Sequence, residues 1–107
     1  MAVIFGGTAD GAERLKFAVD EAATTVESVA QLDEALKDSP DEVLVVIDPE
    51  IDLTVATSLA ERYRVTRPAL GIILTRRRVD LSVVNQAMRA GIREVVSIDD
   101  AGALVTA

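Results

Sequence analysis

The 107-residue sequence predicts one α/β domain, in which a five-stranded parallel sheet is covered by helices on both faces. Residues 43–47 and 69–74 are uninterrupted apolar runs that end at Asp48 and at Thr75. Such runs are typical of strands with both faces buried. Strand-like and helix-like segments also alternate five times along the chain, which favours right-handed crossovers between parallel strands.

The first half of the chain contains three predicted strands with two helices between them. The strands cover residues 2–5, 24–26 and 43–47. We expect Asp10 to cap the first helix, whose apolar positions recur every three or four residues. Those positions are Leu15, Ala18, Val19 and Ala22. Ser28 is expected to cap the second helix, which should end before Ser39-Pro40 because helices tend to end before a proline.

A third helix, a fourth strand and a basic loop follow Asp48. The helix is predicted over residues 53–63, and the polar stretch 64–68 is expected to break it. After the strand at 69–74, Arg76, Arg77 and Arg78 are expected to form a loop.

The last part of the chain contains a fourth helix and a weaker, more polar fifth strand. Asp80 or Ser82 is expected to cap the helix, and Gly91 to end it. The strand is predicted over residues 94–98, and Asp99-Asp100 begins a last helix that stops at the end of the chain. A helix cut short in this way predicts that the domain is part of a longer protein.

The composition excludes several classes of function. Cysteine and histidine are absent, so there is no disulfide, no thiolate nucleophile and no histidine general base or zinc ligand. Aromatic residues make up 3% of the chain, which leaves little material for stacking on nucleic-acid bases. No apolar run approaches the roughly 20 residues of a membrane span, so membrane insertion is not expected. A cytoplasmic location is the expectation.

The charge is divided unevenly along the chain. Residues 1–61 hold 14 acids against 3 bases, a net charge of −11, whereas residues 62–107 hold 4 acids against 8 bases, a net charge of +4. One interpretation is ordinary variation of a charged surface. The other is that the second half presents a basic face to an acidic partner or to the acidic half of a second copy. Nucleic acid is not an expected partner of so acidic a chain.

Two positions are candidates for binding or chemistry on general grounds. Asp48 follows a buried strand, and in open α/β sheets ligands bind beyond the carboxyl ends of the strands. The glycine-containing loop 6–11 precedes a helix, where backbone amides could hold a phosphate, although two adjacent glycines are not the dinucleotide-binding pattern. A tight turn is the alternative interpretation of that loop.

The order of these features resembles the response-regulator receiver domain. The resemblance rests on five βα units, an Asp after strand three, a Thr after strand four, and Ala87-Met88-Arg89-Ala90-Gly91 leading into strand five. It covers essentially the whole chain. It implies a flavodoxin-like, CheY-like three-layer sandwich with strand order 2-1-3-4-5. It also implies that Asp48 stands at the phosphoacceptor position and Thr75 at the position of the switch hydroxyl.

The positions that support phosphotransfer in receivers are changed in this sequence. Gly6 and Gly7 stand where the family has two acids that help hold magnesium, and Ile98 and Asp99 stand at about the place of its Lys-Pro pair. Charge stabilisation by metal and cation is most of phosphoryl-transfer catalysis. The resemblance therefore implies an atypical receiver in which Asp48 and Thr75 are vestigial. We expect no catalytic residue, no metal and no cofactor.

A narrower resemblance comes from the second half. The stretch GIILTRRRVDLSVVNQAMRAGIREVVSIDDAGAL is similar to the N-terminal atypical receiver of CpaE/TadZ-like pilus-assembly proteins. That family joins such a domain to a C-terminal MinD/ParA-like ATPase that helps to place the Tad (type IVb) pilus machinery. The resemblance implies recruitment to the cell pole or to the inner face of the membrane. The ATPase phosphate-binding pattern G-x-x-x-x-G-K-[ST] does not occur in this chain.

The expected function is thus non-enzymatic: an interaction and localisation module that self-associates or docks a pilus-assembly partner and positions an attached ATPase. The predicted interaction surface consists of Arg76, Arg77, Arg78, Met88 and Arg93. Two alternatives stay open, a phosphorylatable two-component receiver that uses Asp48 and a nucleotide-binding domain that uses the loop 6–11.

Overall fold

Strands and helices alternate along the chain as predicted. The computed structural model describes residues 2–19, 22–41 and 44–98. The strands are β1 (Val3–Phe5), β2 (Thr24–Val26), β3 (Leu44–Ile47), β4 (Gly71–Arg76) and β5 (Glu94–Ser97). The helices are α1 (Ala9–Val19), α2 (Val29–Asp38), α3 (Leu53–Thr66) and α4 (Leu81–Ala90). All strand pairs are parallel, and the sheet order is β2-β1-β3-β4-β5, which confirms the predicted doubly wound architecture.

The sheet separates two apolar cores. Helices α2, α3 and α4 cover one face, where Leu32, Leu59 and Ala87 pack against alternate strand residues such as Ile47. Helix α1 packs on the other face, where Leu15 joins a second buried cluster. Because neighbouring residues of a strand point to opposite faces, β3 and β4 are buried throughout almost their whole length, as the uninterrupted apolar runs predict.

Three helix ends are set by residues that the sequence identifies. The Ser28 hydroxyl accepts a hydrogen bond from the Gln31 amide, and Asp80 accepts one from the Val83 amide, so Asp80 rather than Ser82 is the cap of α4. Gly91 ends α4 in the left-handed region, with φ of 102°, where a side chain would be strained.

The predicted cap of α1 is wrong by two residues. The helix begins at Ala9, and the hydroxyl of Thr8 accepts a hydrogen bond from the Gly11 amide at 3.0 Å. Asp10 therefore lies inside the first turn, where its negative charge still interacts favourably with the positive end of the helix dipole. The helix is described to Val19, and Ala22, predicted as one of its apolar positions, lies in a turn.

Two boundaries after Asp48 also differ from the prediction. Helix α3 continues through residues 64–66 and ends only when Arg67, which precedes Pro68, takes a φ of −141°. Strand β4 begins at Gly71 rather than at residue 69 and runs on to Arg76, so Arg76 is a strand residue and not part of the loop. Val43 and the helix predicted from Asp99 lie outside the described residues.

The strand order places the two differently charged parts of the chain at opposite edges of the sheet. Helices α1 and α2 contact β1 and β2, whereas α4 contacts α3 and β5. The acidic first half thus includes the β2 edge, and the basic second half forms the β5 edge. Among the residues that the structure describes, no helix is long and apolar enough to cross a membrane.

Candidate functional site

Asp48 and Thr75 lie where two adjacent central strands end. Asp48 directly follows β3, and its amide donates to the carbonyl of Phe5 at the end of β1, at 2.9 Å. Thr75 lies near the end of β4, where the register pairs Leu74 with Ile47 of β3. The structure therefore brings together the two residues that the resemblance placed at the acceptor and switch positions.

The Asp48 side chain is closed in by backbone. It is 3% exposed. Its Oδ2 accepts from the Gly7 amide and its Oδ1 accepts from the Glu50 amide, both at 3.3 Å. A buried carboxylate needs such donors, since an unpaired charge is costly to bury. Both oxygens of Asp48 are thus engaged by the loops that follow β1 and β3.

Gly11 allows α1 to approach this carboxylate. A Cβ at position 11 would overlap Asp48 Oδ2 and would lie 3.2 Å from the Thr8 hydroxyl. Residue 11 is in the first turn of α1, at the positive end of its dipole. The glycine therefore lets the Asp48 carboxylate sit directly against the start of the helix.

The Thr75 hydroxyl is also occupied within the fold. The residue is fully buried, and its Oγ1 donates to the carbonyl of Ile47 at 2.5 Å. The bond joins β4 to β3 beside Asp48. The hydroxyl is a satisfied group of the sheet in this conformation.

Arg76 folds back onto the loop between β3 and α3. Its Nη2 donates to the Ile51 carbonyl at 2.7 Å, and its Nη1 donates to the Pro49 carbonyl at 2.9 Å. Nη1 makes longer contacts with the carbonyls of Thr75 and Asp48, at 3.2 and 3.5 Å. Burial lowers the pKa of Arg76, although the nearby charges of Asp52 and Asp48 act in the opposite direction. The guanidinium of Arg76 is therefore directed into the protein rather than toward a partner.

A small cleft opens beside Asp48. Its volume is about 220 Å³, and its lining includes Gly11, Arg14, Asp48, Pro49, Arg77 and Ile98. Arg77 makes a long ion pair with Glu50, at 3.8 Å, and its side chain is 68% exposed. The sequence interpretation missed Arg14, because only the packing of α1 against β1 and β2 brings this helical residue to the end of the sheet.

The residues around Asp48 do not fit a magnesium ion of the kind that receivers use. Gly6 and Gly7, at the places of the two metal-binding acids, have no carboxylate. Within residues 2–19, 22–41 and 44–98, no group of three or more acids, histidines or cysteines could hold a metal ion. Ile98, which lines the cleft near the position of the family's Lys, provides no cation.

The other residues predicted to form an interaction surface lie on and around α4. Met88 is 54% exposed on the outer side of the helix, and Leu81, two turns earlier, is 74% exposed. Arg77 and Arg78 are exposed before the helix. Arg93 is exposed after it, with its guanidinium above Gly71 at the other end of β4. Met88 is thus exposed on α4, and Arg77, Arg78 and Arg93 are exposed before or after that helix in the chain. Arg76 is separate from them, because its guanidinium is directed into the fold.

A polar cluster between α2 and α3 was not predicted. Arg62 forms a two-bond ion pair with Asp33 at 3.0 and 3.2 Å, and the Tyr63 hydroxyl donates to the same carboxylate. Burial raises the pKa of Tyr63, and the hydrogen bond to Asp33 and the charge of Asp33 raise it further. The sequence separation of about 30 residues gives no local signal of this contact.

Comparison with known proteins identifies the fold. No protein-family model matches the chain, and neither does any curated protein. Among solved structures, a protein of Burkholderia thailandensis E264 assigned to pilus assembly (CpaE) has 23% identity and a TM-score of 0.78, over 96% of this chain and 89% of that one. The signal receiver domain of the response regulator NarL from Mycobacterium tuberculosis has 16% identity and a TM-score of 0.75, over 98% and 90%. A pilus assembly-related protein of Burkholderia pseudomallei K96243 has 19% identity and a TM-score of 0.71, over 98% and 91%. The chain thus has the CheY-like receiver fold, and its structural neighbours include both response-regulator receivers and CpaE-like proteins.

Proposed function

We propose that this chain is an atypical receiver that serves as a non-catalytic protein-interaction module of a CpaE/TadZ-like pilus-assembly protein. The observation that carries the proposal is the environment of Asp48. The carboxylate is 3% exposed, and both of its oxygens accept hydrogen bonds from backbone amides. No second carboxylate from the loop after β1 accompanies it, because residues 6 and 7 are glycines.

These surroundings disfavour phosphoryl transfer on physical grounds. A phosphoryl donor and a carboxylate repel each other, so the reaction needs a metal ion and a fixed cation to offset the charge. Among the residues that the structure describes, no group of acids provides the donor set for magnesium, and Ile98 stands near the place of the cation. The guanidinium of Arg76 also donates hydrogen bonds to the carbonyls of Pro49 and Ile51, in the loop beside the acceptor position.

The pilus-assembly assignment is supported by the resemblance of residues 71–104 and by the structural similarity to CpaE of Burkholderia thailandensis. In this proposal the domain belongs to a longer cytoplasmic protein with an attached ATPase. Its interactions recruit that protein to the cell pole or to the inner face of the membrane.

The surface that we propose for docking or dimerisation is the outer face of α4 with its basic surroundings. Leu81 and Met88 are exposed apolar residues seven positions apart, which places them on one side of the helix. Arg77 and Arg78 lie before the helix, and Arg93 lies after it. Exposed methionine and arginine are enriched in protein interfaces. The partner that fits is a protein with an apolar centre and acidic surroundings, including a second copy of this chain.

The first experiment is an amide NMR titration with magnesium and then with beryllofluoride, which mimics the aspartyl phosphate. We expect no saturable shifts at Gly7, Asp48 and Thr75. The companion measurement is the intact mass after incubation with acetyl phosphate and magnesium, which should show no covalent phosphoryl group. Saturable shifts that are lost in Asp48→Ala, or a phosphorylated product, would instead establish a two-component receiver.

The second experiment tests the surface. Leu81→Gln and Met88→Gln should weaken concentration-dependent association, measured by sedimentation or by amide shifts on dilution, by about tenfold or more. The reason is that a few residues buried at the centre of an interface carry most of its binding energy. Val65→Gln is the matched control, since Val65 is 80% exposed on α3. An equal effect of Val65→Gln would place the contact elsewhere.

A further inference from the structure

The cleft beside Asp48 is lined by two cationic side chains that make few contacts with the rest of the described residues. Arg14 comes from α1, and Arg77 follows β4. Within the described residues Arg14 makes no ion pair, and the contact of Arg77 with Glu50 is long, at 3.8 Å. Arg76, by contrast, has its guanidinium engaged by backbone carbonyls. The two guanidiniums of the cleft are thus available to a ligand.

We propose that this cleft binds a phosphate-type oxyanion non-covalently and without a metal ion, with Arg14 and Arg77 as the ligand-binding residues. The inference rests on the proposed absence of phosphotransfer, because a phosphoryl group covalently bound to Asp48 would occupy the same space. A guanidinium presents a planar pair of N–H donors that matches the oxygens of phosphate or carboxylate. Here two such groups line the cleft beside Asp48.

Asp48 opposes the binding of an anion, and the structure limits that opposition. Its oxygens accept from the amides of Gly7 and Glu50, and the start of α1 lies against its Oδ2. These donors offset part of its charge before any ligand arrives. Glu50 brings a second negative charge, but its contact with Arg77 is long, at 3.8 Å, and its side chain is 39% exposed to screening by water. The two guanidiniums therefore leave the cleft attractive to a small anion.

The size and lining of the cleft restrict the ligand. A volume of about 220 Å³ is below the range of about 300–1,000 Å³ typical of pockets for larger ligands. None of the described lining residues is aromatic, so none of them can stack on a nucleotide base. The cleft therefore fits inorganic phosphate better than a nucleotide, although the two share the same anionic group.

The test is a calorimetric or amide NMR titration of the 107-residue chain with inorganic phosphate in the presence of a metal chelator. We expect saturable shifts at Gly11 and Ile98. Arg14→Gln and Arg77→Gln should each weaken binding by about tenfold, the effect of losing a hydrogen bond to a charged group. Arg78→Gln is the matched control, because Arg78 is exposed next to Arg77 but does not line the cleft. AMP and ATP, titrated separately, should bind no more tightly than phosphate.

The decisive variant is Asp48→Asn. Removing the carboxylate removes a repulsion, so phosphate should bind about threefold more tightly or better. The inference would be overturned if the wild-type chain showed no saturable binding of phosphate, or if Asp48→Asn bound phosphate more weakly. It would also be overturned if Arg78→Gln lost as much phosphate affinity as Arg14→Gln and Arg77→Gln. These outcomes are separate from the acetyl phosphate experiment. A covalent product would refute the proposed function, whereas absent phosphate binding with no covalent product would refute only the oxyanion site.

Discussion

Arg76→Met is the sharpest test of how the site is held together. The guanidinium donates two short hydrogen bonds, to the carbonyls of Ile51 and Pro49 at 2.7 and 2.9 Å, and two longer ones. Hydrogen bonds to charged groups contribute about 1.5–3 kcal/mol each, so the two short bonds give an upper figure of about 3–6 kcal/mol. These hydrogen bonds are only partly buried, so water can replace part of this interaction. We therefore expect Arg76→Met to lower the free energy of unfolding by about 2–3 kcal/mol, with methionine keeping the packing of the aliphatic stem.

The assay is urea unfolding followed by far-UV circular dichroism. With a slope of about 1–2 kcal/mol per molar urea for a small domain, the midpoint should fall by about 1–3 M. Arg78→Met is the control, and as an exposed substitution it should change the free energy of unfolding by less than about 0.5 kcal/mol. Arg76→Lys should fall between the two, because lysine keeps the charge but not the fork of donors. If Arg76→Met unfolds at the same urea concentration as Arg78→Met, the loop is not held by Arg76 and the reasoning fails.

Three further predictions concern single side chains. Because the folded state raises the pKa of Tyr63 above its ordinary value of 10.0, the stability that this group contributes is complete below about pH 10 and is lost as the pH rises above it. Tyr63 is the only tyrosine and tryptophan is absent, so the near-UV absorbance of tyrosinate follows the ionisation of this one group. Asp33→Asn should lower the pKa of Tyr63. Formation of tyrosinate near pH 10 in the folded wild-type protein would contradict the raised pKa. Gly11→Ala should lower the free energy of unfolding in urea by about 1–3 kcal/mol, because the new Cβ would overlap Asp48 Oδ2. This loss should exceed the gain in helix propensity, which is up to about 1 kcal/mol. A stabilised variant would show that the Asp48 carboxylate can move aside. Thr75→Val should lower the free energy of unfolding by about 1 kcal/mol in the same assay, because the hydrogen bond to the Ile47 carbonyl is lost. Thr75→Ser keeps the hydroxyl and should keep most of that stability. Equal losses in both variants would assign the effect to packing instead.

The fold was predictable because its signals are local. Buried parallel strands leave apolar runs, and Ser28, Asp80 and Gly91 act within one helical turn of their own positions. The end of α3 was predicted wrongly where a longer-range contact contributes. The polar residues 64–66 stay helical because no proline intervenes before Pro68, and Arg64 donates to the Arg89 carbonyl at the end of α4.

The site was predictable only in part. Asp48 and Thr75 could be predicted to lie close together because each stands at the end of a predicted strand, and the carboxyl ends of parallel strands meet at one edge of the sheet. Three consecutive arginines look alike in sequence, yet Arg76 turns inward, Arg77 lines the cleft and Arg78 faces solvent. Successive side chains of a strand point to opposite faces, which accounts for part of this difference. The carbonyls that accept hydrogen bonds from Arg76 belong to residues 25–28 positions earlier in the chain, and no local sequence pattern reveals such contacts.

The separation of charge between the two edges of the sheet has a kinetic consequence. The acidic part of the chain includes the β2 edge and the basic part forms the β5 edge, so we expect the domain, of 34 × 29 × 23 Å, to have an electric dipole. Any charged surface exerts a torque on such a body, so encounters become oriented before contact is made. Screening acts over about 8 Å at physiological ionic strength, which confines this orientation to the final approach. The basic edge therefore meets an anionic surface first, and added salt should slow that association more than it speeds dissociation.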